Sequence, residues 1–345
     1  MKAVPFGRTA DGHEVSRYRL TGAGGAYADI LNYGGVIQSL VTPDRRGRLV
    51  DVVLGFDTAA EYEADDAYIG ALVGRWAGRI SGAAFELGGV GYQLAANNGP
   101  NHLHGGLKGF NRQVWEASDD GDGLVLSRLS PDGEEGYPGA LAVRVKYSFD
   151  DRNQLTLEYE AESDRDTVVN LTSHSYFNLN GAGRGDILDH RLTIAADHIA
   201  EIDSRLIPTG RLLPVQGTPF DFNTSQPVGR AIKAADPQLE NGGGYDHYYV
   251  RSQVTADRPA ARVFCPETGI QLEIFTTEPG LQFYAANSLS RRAGKAGASY
   301  GPRSGFCLET QFWPDAPNQP AFPAAVLKKG LRYHQVTGFR FGPAG

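Results

Sequence analysis

Three side chains suited to proton transfer stand in three separate segments of this chain: Glu309, His174 and His104. Glu309 lies in F-C-L-E-T-Q-F-W-P (306–314), whose alternation predicts a strand that ends at Pro314. A carboxylate in such an apolar strand is either paired or set at the wall of a cavity, because a lone buried charge is too costly. This segment alone leaves three alternatives open: a core glutamate whose oxygens have hydrogen-bond partners, a surface glutamate on an edge strand, and a glutamate in a cleft.

A run of alternating residues surrounds His174. In T-V-V-N-L-T-S-H-S-Y-F-N-L-N-G (167–181) the period of two predicts one long strand with two unlike faces. Its polar face is formed by Asn170, Thr172, His174, Tyr176 and Asn178. A polar face in bulk water usually carries Lys and Glu, and this one has neither. The pattern therefore favours the wall of a polar pocket over a solvated antiparallel strand.

His104 belongs to a third cluster, N-N-G-P-N-H-L-H-G-G-L-K-G (97–109). A strand there places His102 and His104 on one face, and the glycines after them allow a sharp turn and a close backbone approach to a ligand. An H-x-H pair can bind zinc, but zinc needs further ligands, and the two cysteines of the chain have no C-x-x-C spacing. We therefore expect no metal, and instead an acid/base or hydroxyl-binding histidine, or a core histidine bonded to backbone.

Short strands must position these groups, because runs of period two recur along the chain with Gly and Pro between them. Two hairpins are predicted, 141–149 with 154–161 and 261–265 with 270–276, and a last strand near 333–341. Helical periodicity is scarce, and only 225–235 indicates about two turns. The pattern predicts an all-β fold, a large antiparallel β-sandwich.

Composition limits the class of protein and its partners. The chain has 345 residues, a formal net charge of −7 and no basic stripe, which argues against a nucleic-acid partner. No apolar run approaches a membrane span, so we expect no membrane partner. The N-terminal residues lack the apolar core of a signal peptide, which makes a cytoplasmic location the default. Without a linker, low-complexity tract or internal repeat, residues 1–345 are expected to form a single domain.

Five motifs resemble those of the aldose 1-epimerases, the galactose mutarotases, and they occur in the same order. They are N-H-L-H-G-G-L-K-G-F-N-R-Q-V-W (101–115), T-S-H-S-Y-F-N-L-N-G (172–181), D-H-Y-Y (246–249), P-G-L-Q-F-Y-A-A-N (279–287) and C-L-E-T-Q-F-W-P-D-A-P-N-Q-P-A-F-P (307–323). The resemblance runs from about residue 25 to the C-terminus. It implies a single large β-sandwich with a carbohydrate cleft on one face.

The resemblance also implies a reaction, the interconversion of the α and β anomers of a free aldose such as glucose, galactose or a pentose. It assigns the general base at the C1 hydroxyl to Glu309, the acid at the ring oxygen to His174, a second active-site imidazole to His104, and sugar hydroxyl contacts to Arg79, Asp246 and Gln282. Opening a hemiacetal needs one acid and one base and no cofactor. With His174 protonated and Glu309 ionised, the rate is expected to follow a bell-shaped pH curve whose alkaline limb belongs to the imidazole.

One departure from the family concerns the choice of sugar. The family commonly reads G-R-x-A-N-R-I where this chain has G-R-W-A-G-R-I (74–80), so Gly78 replaces an Asn that usually lines the cleft. Either one sugar hydroxyl loses its partner or a water fills the gap. The preferred aldose, and the choice between a monomer and a homodimer, stay open from the sequence.

Three other functions stay open as well. A glycoside hydrolase or lyase usually needs two carboxylates, which Glu309 and Asp246 could supply. A sugar-binding protein that has lost catalysis would not need a matched acid and base. An epimerase of hexose 6-phosphates would need a basic cluster in the cleft, for which Arg75 and Arg79 are the candidates.

Overall fold

The computed structural model describes residues 1–255 and 257–343, which form antiparallel strands joined by turns. In chain order the first strands are β1 (Ala3–Arg8), β2 (Glu14–Thr21), β3 (Tyr27–Leu31), β4 (Ile37–Pro43), β5 (Leu49–Asp51), β6 (Leu72–Val73), β7 (Arg79–Ile80), β8 (Ala84–Leu87), β9 (Val90–Gln93), β10 (His102–Leu103), β11 (Glu116–Asp119), β12 (Leu124–Ser130), β13 (Leu141–Phe149), β14 (Gln154–Ser163) and β15 (Thr167–Val168). The others are β16 (Thr172–Ser173), β17 (Arg191–Ile194), β18 (Ala196–Ile202), β19 (Pro208–Pro214), β20 (Gln226–Pro227), β21 (Asp246–Arg251), β22 (Ala261–Phe264), β23 (Ile270–Thr276), β24 (Gly280–Tyr284), β25 (Arg292–Ala293), β26 (Ser299–Tyr300), β27 (Cys307–Gln311), β28 (Val326–Leu327) and β29 (Arg332–Pro343).

Three larger sheets contain most of the strand residues of the described structure. Their strand orders are β1-β2-β3-β4-β5, β11-β12-β13-β14-β29-β23-β22-β17-β20 and β19-β18-β21-β24-β27. Five two-stranded ribbons complete it, formed by β6 with β16, β7 with β10, β8 with β9, β15 with β28, and β25 with β26. The all-β fold and the antiparallel sandwich expected from the sequence are confirmed.

The three larger sheets share one apolar core. Ile30 of the first sheet, Leu157 of the second and Leu281 of the third belong to the same buried cluster and expose none of their surface. The alternation that predicted the hairpins places these faces inward, and the register of β13 and β14 pairs Val145 with Tyr159 across the buried side. Burial of apolar surface at about 25 cal/mol per Å² is the main source of stability for such a sheet stack.

The expected helix at 225–235 is wrong. Residues Gln226–Pro227 form β20 and Val228–Arg230 form one 3₁₀ turn. The backbone N–H groups that a helix would use are bonded elsewhere, since Val228 donates to His190 O at 2.9 Å and the next residue donates to Leu188 O. Tertiary pairing thus overrides a weak local preference.

Two short α-helices lie in the described chain, α1 (Ala59–Ala64) and α2 (Pro237–Gly242). Thr58 caps the first with a capping box to Glu61, and Asp236 caps the second by accepting from two backbone N–H groups. Neither helix has the length and apolar character that crossing a membrane requires.

Candidate active site

Three neighbouring strands, β21, β24 and β27, build one wall of a cleft. The register pairs Gln282 with Tyr248 on one side and with Glu309 on the other, so residues two apart on each strand share a face. The side chains on this face line a cleft of about 350 Å³: Asp246, Tyr248, Gln282, Tyr284, Glu309 and Gln311. The other face enters the core, where Leu281, Phe283 and Leu308 are buried. The strand alternation around Glu309 is confirmed, and Glu309 is a cleft residue.

The facing wall comes from three short segments. Arg79 and Leu103 pair where β7 meets β10, and this brings Arg79 and His104 to the cleft. His174 follows β16, and its N–H donates to Ala71 O at 2.8 Å. All six residues predicted for the site therefore lie around one cleft. The strands that carry them are far apart in the sequence but adjacent in space.

Glu309 is the most buried carboxylate of the cleft, with 3% of its surface exposed. Its Oε1 lies 3.6 Å from Nε2 of His174, and its Oε2 has no hydrogen-bond partner among the described residues. Burial raises the pKa of Glu309 well above its usual value, the charge of Asp246 raises it further, and Arg79 opposes both. An unpaired buried oxygen at a cleft is a ready acceptor for a ligand hydroxyl.

His174 lies between aromatic rings and is 5% exposed. Ring centroids are 5.0 Å away for Tyr176 and 5.9 Å away for Tyr68. Burial lowers the pKa of His174 to about 4, although its own backbone carbonyl acts in the opposite direction. The neutral imidazole is therefore the form this pocket favours near neutral pH, and the imidazolium expected from the sequence is not.

β10 ends at Leu103, and the next residue, His104, has a left-handed backbone conformation (φ 50°). The expectation that His102 and His104 share a strand face is wrong. His102 is a core histidine whose ring nitrogens contact Ala95 O and the Tyr137 hydroxyl, each at 2.7 Å. Two of the alternatives that the sequence leaves open for this pair apply. His102 is a core histidine, and His104 fits a hydroxyl-binding histidine.

The backbone N–H of Gly78 determines which ring nitrogen of His104 carries the hydrogen. It donates to Nδ1 of that ring at 3.2 Å, and burial, followed by repulsion from His174 in its protonated form, lowers the pKa of His104 well below its usual value. A neutral ring that accepts at Nδ1 carries its hydrogen on Nε2. His104 therefore presents an N–H donor to the cleft.

The turn after His104 is the sharp glycine turn that the sequence indicates. Gly105 has φ 87°, and a Cβ there would lie 1.8 Å from the carbonyl oxygen of Gly74. The close approach at Gly105 is thus between two backbone segments. It holds His104 against the segment before β7 that carries Gly78, whose carbonyl accepts from the His104 N–H at 3.1 Å.

The cleft contains a cluster of potential metal ligands that was not predicted from the sequence. Donor atoms of His104, His174 and Glu309 lie within 4.8 Å of one another. No pattern in the sequence marks this cluster, because the three residues lie in different motifs. The donation from Gly78 works against coordination, since the remaining nitrogen of His104 would have to lose its hydrogen to become a ligand. We keep the expectation of a metal-independent site.

Polar groups suited to sugar hydroxyls complete the cleft. Gln282 Nε2 donates to Asp246 Oδ1 at 2.6 Å, and Arg79 Nε donates to Asn98 Oδ1 at 3.0 Å. Burial raises the pKa of Asp246, while Arg79 and Gln282 oppose the rise. Gly78 also lines the cleft, and its φ of 77° suits Gly or Asn better than other residues.

The predicted polar strand face around His174 is only partly a pocket wall. The segment 167–181 is not one strand, since only Thr167–Val168 and Thr172–Ser173 form strands, each with a different partner, and Asn170 and Phe177 make isolated bridges. His174 and Tyr176 line the cleft. The other three polar residues of that face bond backbone: Asn170 with Ala77 and Phe312, Thr172 with Thr310, and Asn178 with Gly185 and Ser304.

Arg75 is not a cleft residue. Its guanidinium is buried and donates to the Ser130 hydroxyl and to the carbonyls of Ser130, Pro131, Pro138 and Gly139. The basic cluster that a hexose 6-phosphate would need therefore lacks one of its two candidates. Tyr68, which contacts both cleft histidines, was missed because its segment has no alternation or motif to mark it.

The chain is similar to known proteins in sequence and in fold. The sequence model of the family described as aldose 1-epimerase matches residues 16–340. The chain is 47% identical to the galactose mutarotase of Bos taurus, covering 92% of this chain and 91% of that protein. It is 33% identical to the aldose 1-epimerase of Escherichia coli (strain K12), with 96% of each chain covered.

Solved structures show the same fold. A GalM/aldose epimerase homologue from C. elegans superposes with a TM-score of 0.87 at 31% identity, covering 96% of this chain and 100% of that one. A galactose 1-epimerase from Lactobacillus acidophilus gives 0.86 at 27% identity, covering 100% and 99%. On the matched family model, the close relatives and the shared fold, this chain belongs to the aldose 1-epimerase family.

Proposed function

We propose that this isomerase interconverts the α and β anomers of a free aldose and that Glu309 and His174 carry the two proton transfers. The observation that carries the assignment is the 3.6 Å contact between Glu309 Oε1 and His174 Nε2 inside the cleft. A carboxylate and an imidazole at this separation can serve the C1 hydroxyl and the ring oxygen of one sugar, which are bonded to the same carbon.

The reaction balances with these two groups alone. Ionised Glu309 takes the proton of the C1 hydroxyl, the C1–O bond of the ring breaks, and its electron pair goes to the ring oxygen. Nε2–H of His174 gives its proton to that oxygen, so His174 becomes an imidazolate while Glu309 becomes a neutral carboxylic acid, and an open-chain aldehyde results. Rotation about C1–C2 and reclosure on the other carbonyl face return both protons to their sources. A neutral imidazole acting as a donor is a known catalytic strategy.

The remaining cleft groups are proposed to hold the sugar. Arg79 and the Nε2–H of His104 donate, Asp246 accepts, and the amide of Gln282 can do either. These contacts fix which hydroxyls lie against the wall, so the aldose preference is expected to reside here and beside Gly78. A monosaccharide as the ligand, a cytoplasmic location and a monomeric or homodimeric state belong to the same proposal.

Replacing Glu309 by Gln tests the base. The amide keeps the shape but cannot accept the proton, so mutarotation should fall at least ~100-fold while sugar binding survives. Polarimetry on freshly dissolved α-anomers of glucose, galactose, xylose and arabinose measures the rate and ranks the sugars. Calorimetry measures binding.

Glu278→Gln is the matched control, because Glu278 is equally a buried glutamate (6% exposed) but is bonded to Tyr333 outside the cleft. It should leave the rate unchanged. Near-normal turnover of Glu309→Gln would remove Glu309 from the mechanism. Release of an aglycone from aryl glycosides by the unmodified protein would favour a glycoside hydrolase instead.

A further inference from the structure

Cys307 stands two residues before Glu309 on β27, and its thiol contacts His174. The two side chains share a strand face, but Cys307 exposes none of its surface and does not line the cleft. Its Sγ is 3.5 Å from Nδ1 of His174. The thiol therefore touches the ring nitrogen that points away from the sugar.

The thiol keeps its hydrogen in this setting. Burial raises the pKa of Cys307 well above its usual value, and the charges of Glu309 and Asp246 raise it further. A neutral thiol is a weak donor, whereas Nδ1 of a neutral imidazole is either a donor or an acceptor, depending on the tautomer. The contact is satisfied when S–H donates to an unprotonated Nδ1.

Glu309 favours the same tautomer from the other side of the ring. Nε2 of His174 faces Glu309 Oε1 at 3.6 Å, and an ionised carboxylate attracts an N–H but repels a lone pair. The competing arrangement has Nδ1–H donating to the backbone carbonyl of His174 itself, which would leave an acceptor at Nε2 and no proton for the ring oxygen. His104 shows the first pattern, with Nδ1 accepting from Gly78.

We propose that Cys307 is a positioning residue that donates its S–H to Nδ1 of His174 and holds the ring as the Nε2–H tautomer, the form that can give a proton to the sugar. The proposal rests on the proposed role of His174 as acid. It assigns Cys307 no contact with the substrate. Its effect is therefore on the turnover step and not on sugar binding.

Nitrogen-15 NMR of histidine-labelled protein, without substrate and near neutral pH, tests the tautomer directly. In the unmodified protein we expect His174 to show a protonated Nε2 and an unprotonated Nδ1, with His174→Asn used to assign the signal. A protonated Nδ1 would overturn the proposal. The result does not depend on turnover, so it is separate from a failure of the proposed function, which polarimetry would show.

Two variants of Cys307 test the consequence. Cys307→Ala removes the donor and should lower kcat about 3- to 10-fold, the worth of one hydrogen bond, with KM unchanged and a shift of His174 towards Nδ1–H. Cys307→Ser keeps a donor on a shorter bond and should retain more of the turnover and of the tautomer than Cys307→Ala does. If Cys307→Ala does not fold, Cys307→Ser and the NMR of the unmodified protein decide.

Cys265→Ala is the matched control. Cys265 is the other buried free cysteine, and it donates to Asn180 at 2.8 Å outside the cleft. This variant should leave kcat and the His174 tautomer unchanged. An unchanged kcat in Cys307→Ala would overturn the proposal. So would a lower kcat with the tautomer retained, because loss of packing alone would then explain it.

Discussion

Burial shifts the pKa values of Glu309 and His174 in opposite directions, although the two side chains are similarly enclosed. It disfavours charge on both, which raises the pKa of the carboxyl and lowers that of the imidazole. The family resemblance located both residues, but the order of their pKa values follows from the enclosure. That enclosure depends on rings such as Tyr68, which no pattern in the sequence marked.

The pH dependence of the rate follows from these directions. Glu309 must be ionised, so kcat/KM should rise with pH through a value well above the usual pKa of a glutamate. His174 is neutral above a pKa of about 4, so it should cause no loss of rate at higher pH. We expect a rise to a plateau in stopped polarimetric assays from pH 4 to 9, in place of the bell-shaped curve.

Asp246→Asn is the informative variant for that profile. Asp246 raises the pKa of Glu309 and Arg79 lowers it, so removing the negative charge should move the rising limb to lower pH, whatever the effect on sugar binding. His174→Asn should lower kcat by about 100-fold or more and keep the rising limb. An alkaline limb that is present in the unmodified protein and lost in His174→Asn would restore the imidazolium as the acid.

At the scale of elements, the reliable part of the sequence pattern is the strand whose two faces have different neighbours. Period two placed Glu309 correctly, because β27 has one face in the core and one on the cleft. The same period failed over 167–181, where the chain passes between sheets and its polar groups bond backbone. Alternation in a sequence does not distinguish a strand that is paired along its length from an extended segment that passes between two sheets.

The turn at Gly105 allows a test of element positioning. In Gly105→Ala the new Cβ would meet the Gly74 carbonyl oxygen at 1.8 Å in a left-handed backbone (φ 87°), and we expect a loss of about 2–4 kcal/mol in the free energy of unfolding. Gly121→Ala is the matched control, since Gly121 has φ 86° but no atom within 4 Å of the added Cβ. It should lose only about 1 kcal/mol.

Urea titrations followed by circular dichroism measure both losses. Similar values for the two variants would mean that only the backbone conformation matters at Gly105 and that the contact with Gly74 is not tight. A larger loss in Gly105→Ala, accompanied by a raised KM for the sugar, would show that the same turn positions His104 in the cleft.

At the scale of the whole molecule, the C-terminal strand joins parts of the chain that are distant in sequence. β29 lies in the nine-stranded sheet between β14 and β23, so it links the strands before residue 164 to those after residue 190. The last strand was predicted, but its partners were not, because pairing over such distances leaves no trace in local periodicity. In the third sheet, β27 joins two buried regions, because its Leu308 packs in the main core and its Cys307 packs in a second buried cluster.

This linkage leads us to propose that residues 1–345 unfold as a single domain. A C-terminal strand in the middle of the largest sheet cannot leave without breaking both halves of it, so unfolding should be one cooperative transition. Single-tryptophan variants that retain Trp115 in the main core or Trp76 in another buried cluster report on two regions of the molecule. Their fluorescence midpoints in urea should coincide with each other and with the circular dichroism midpoint of the same variant. Midpoints that separate reproducibly would instead divide the chain into two folding units.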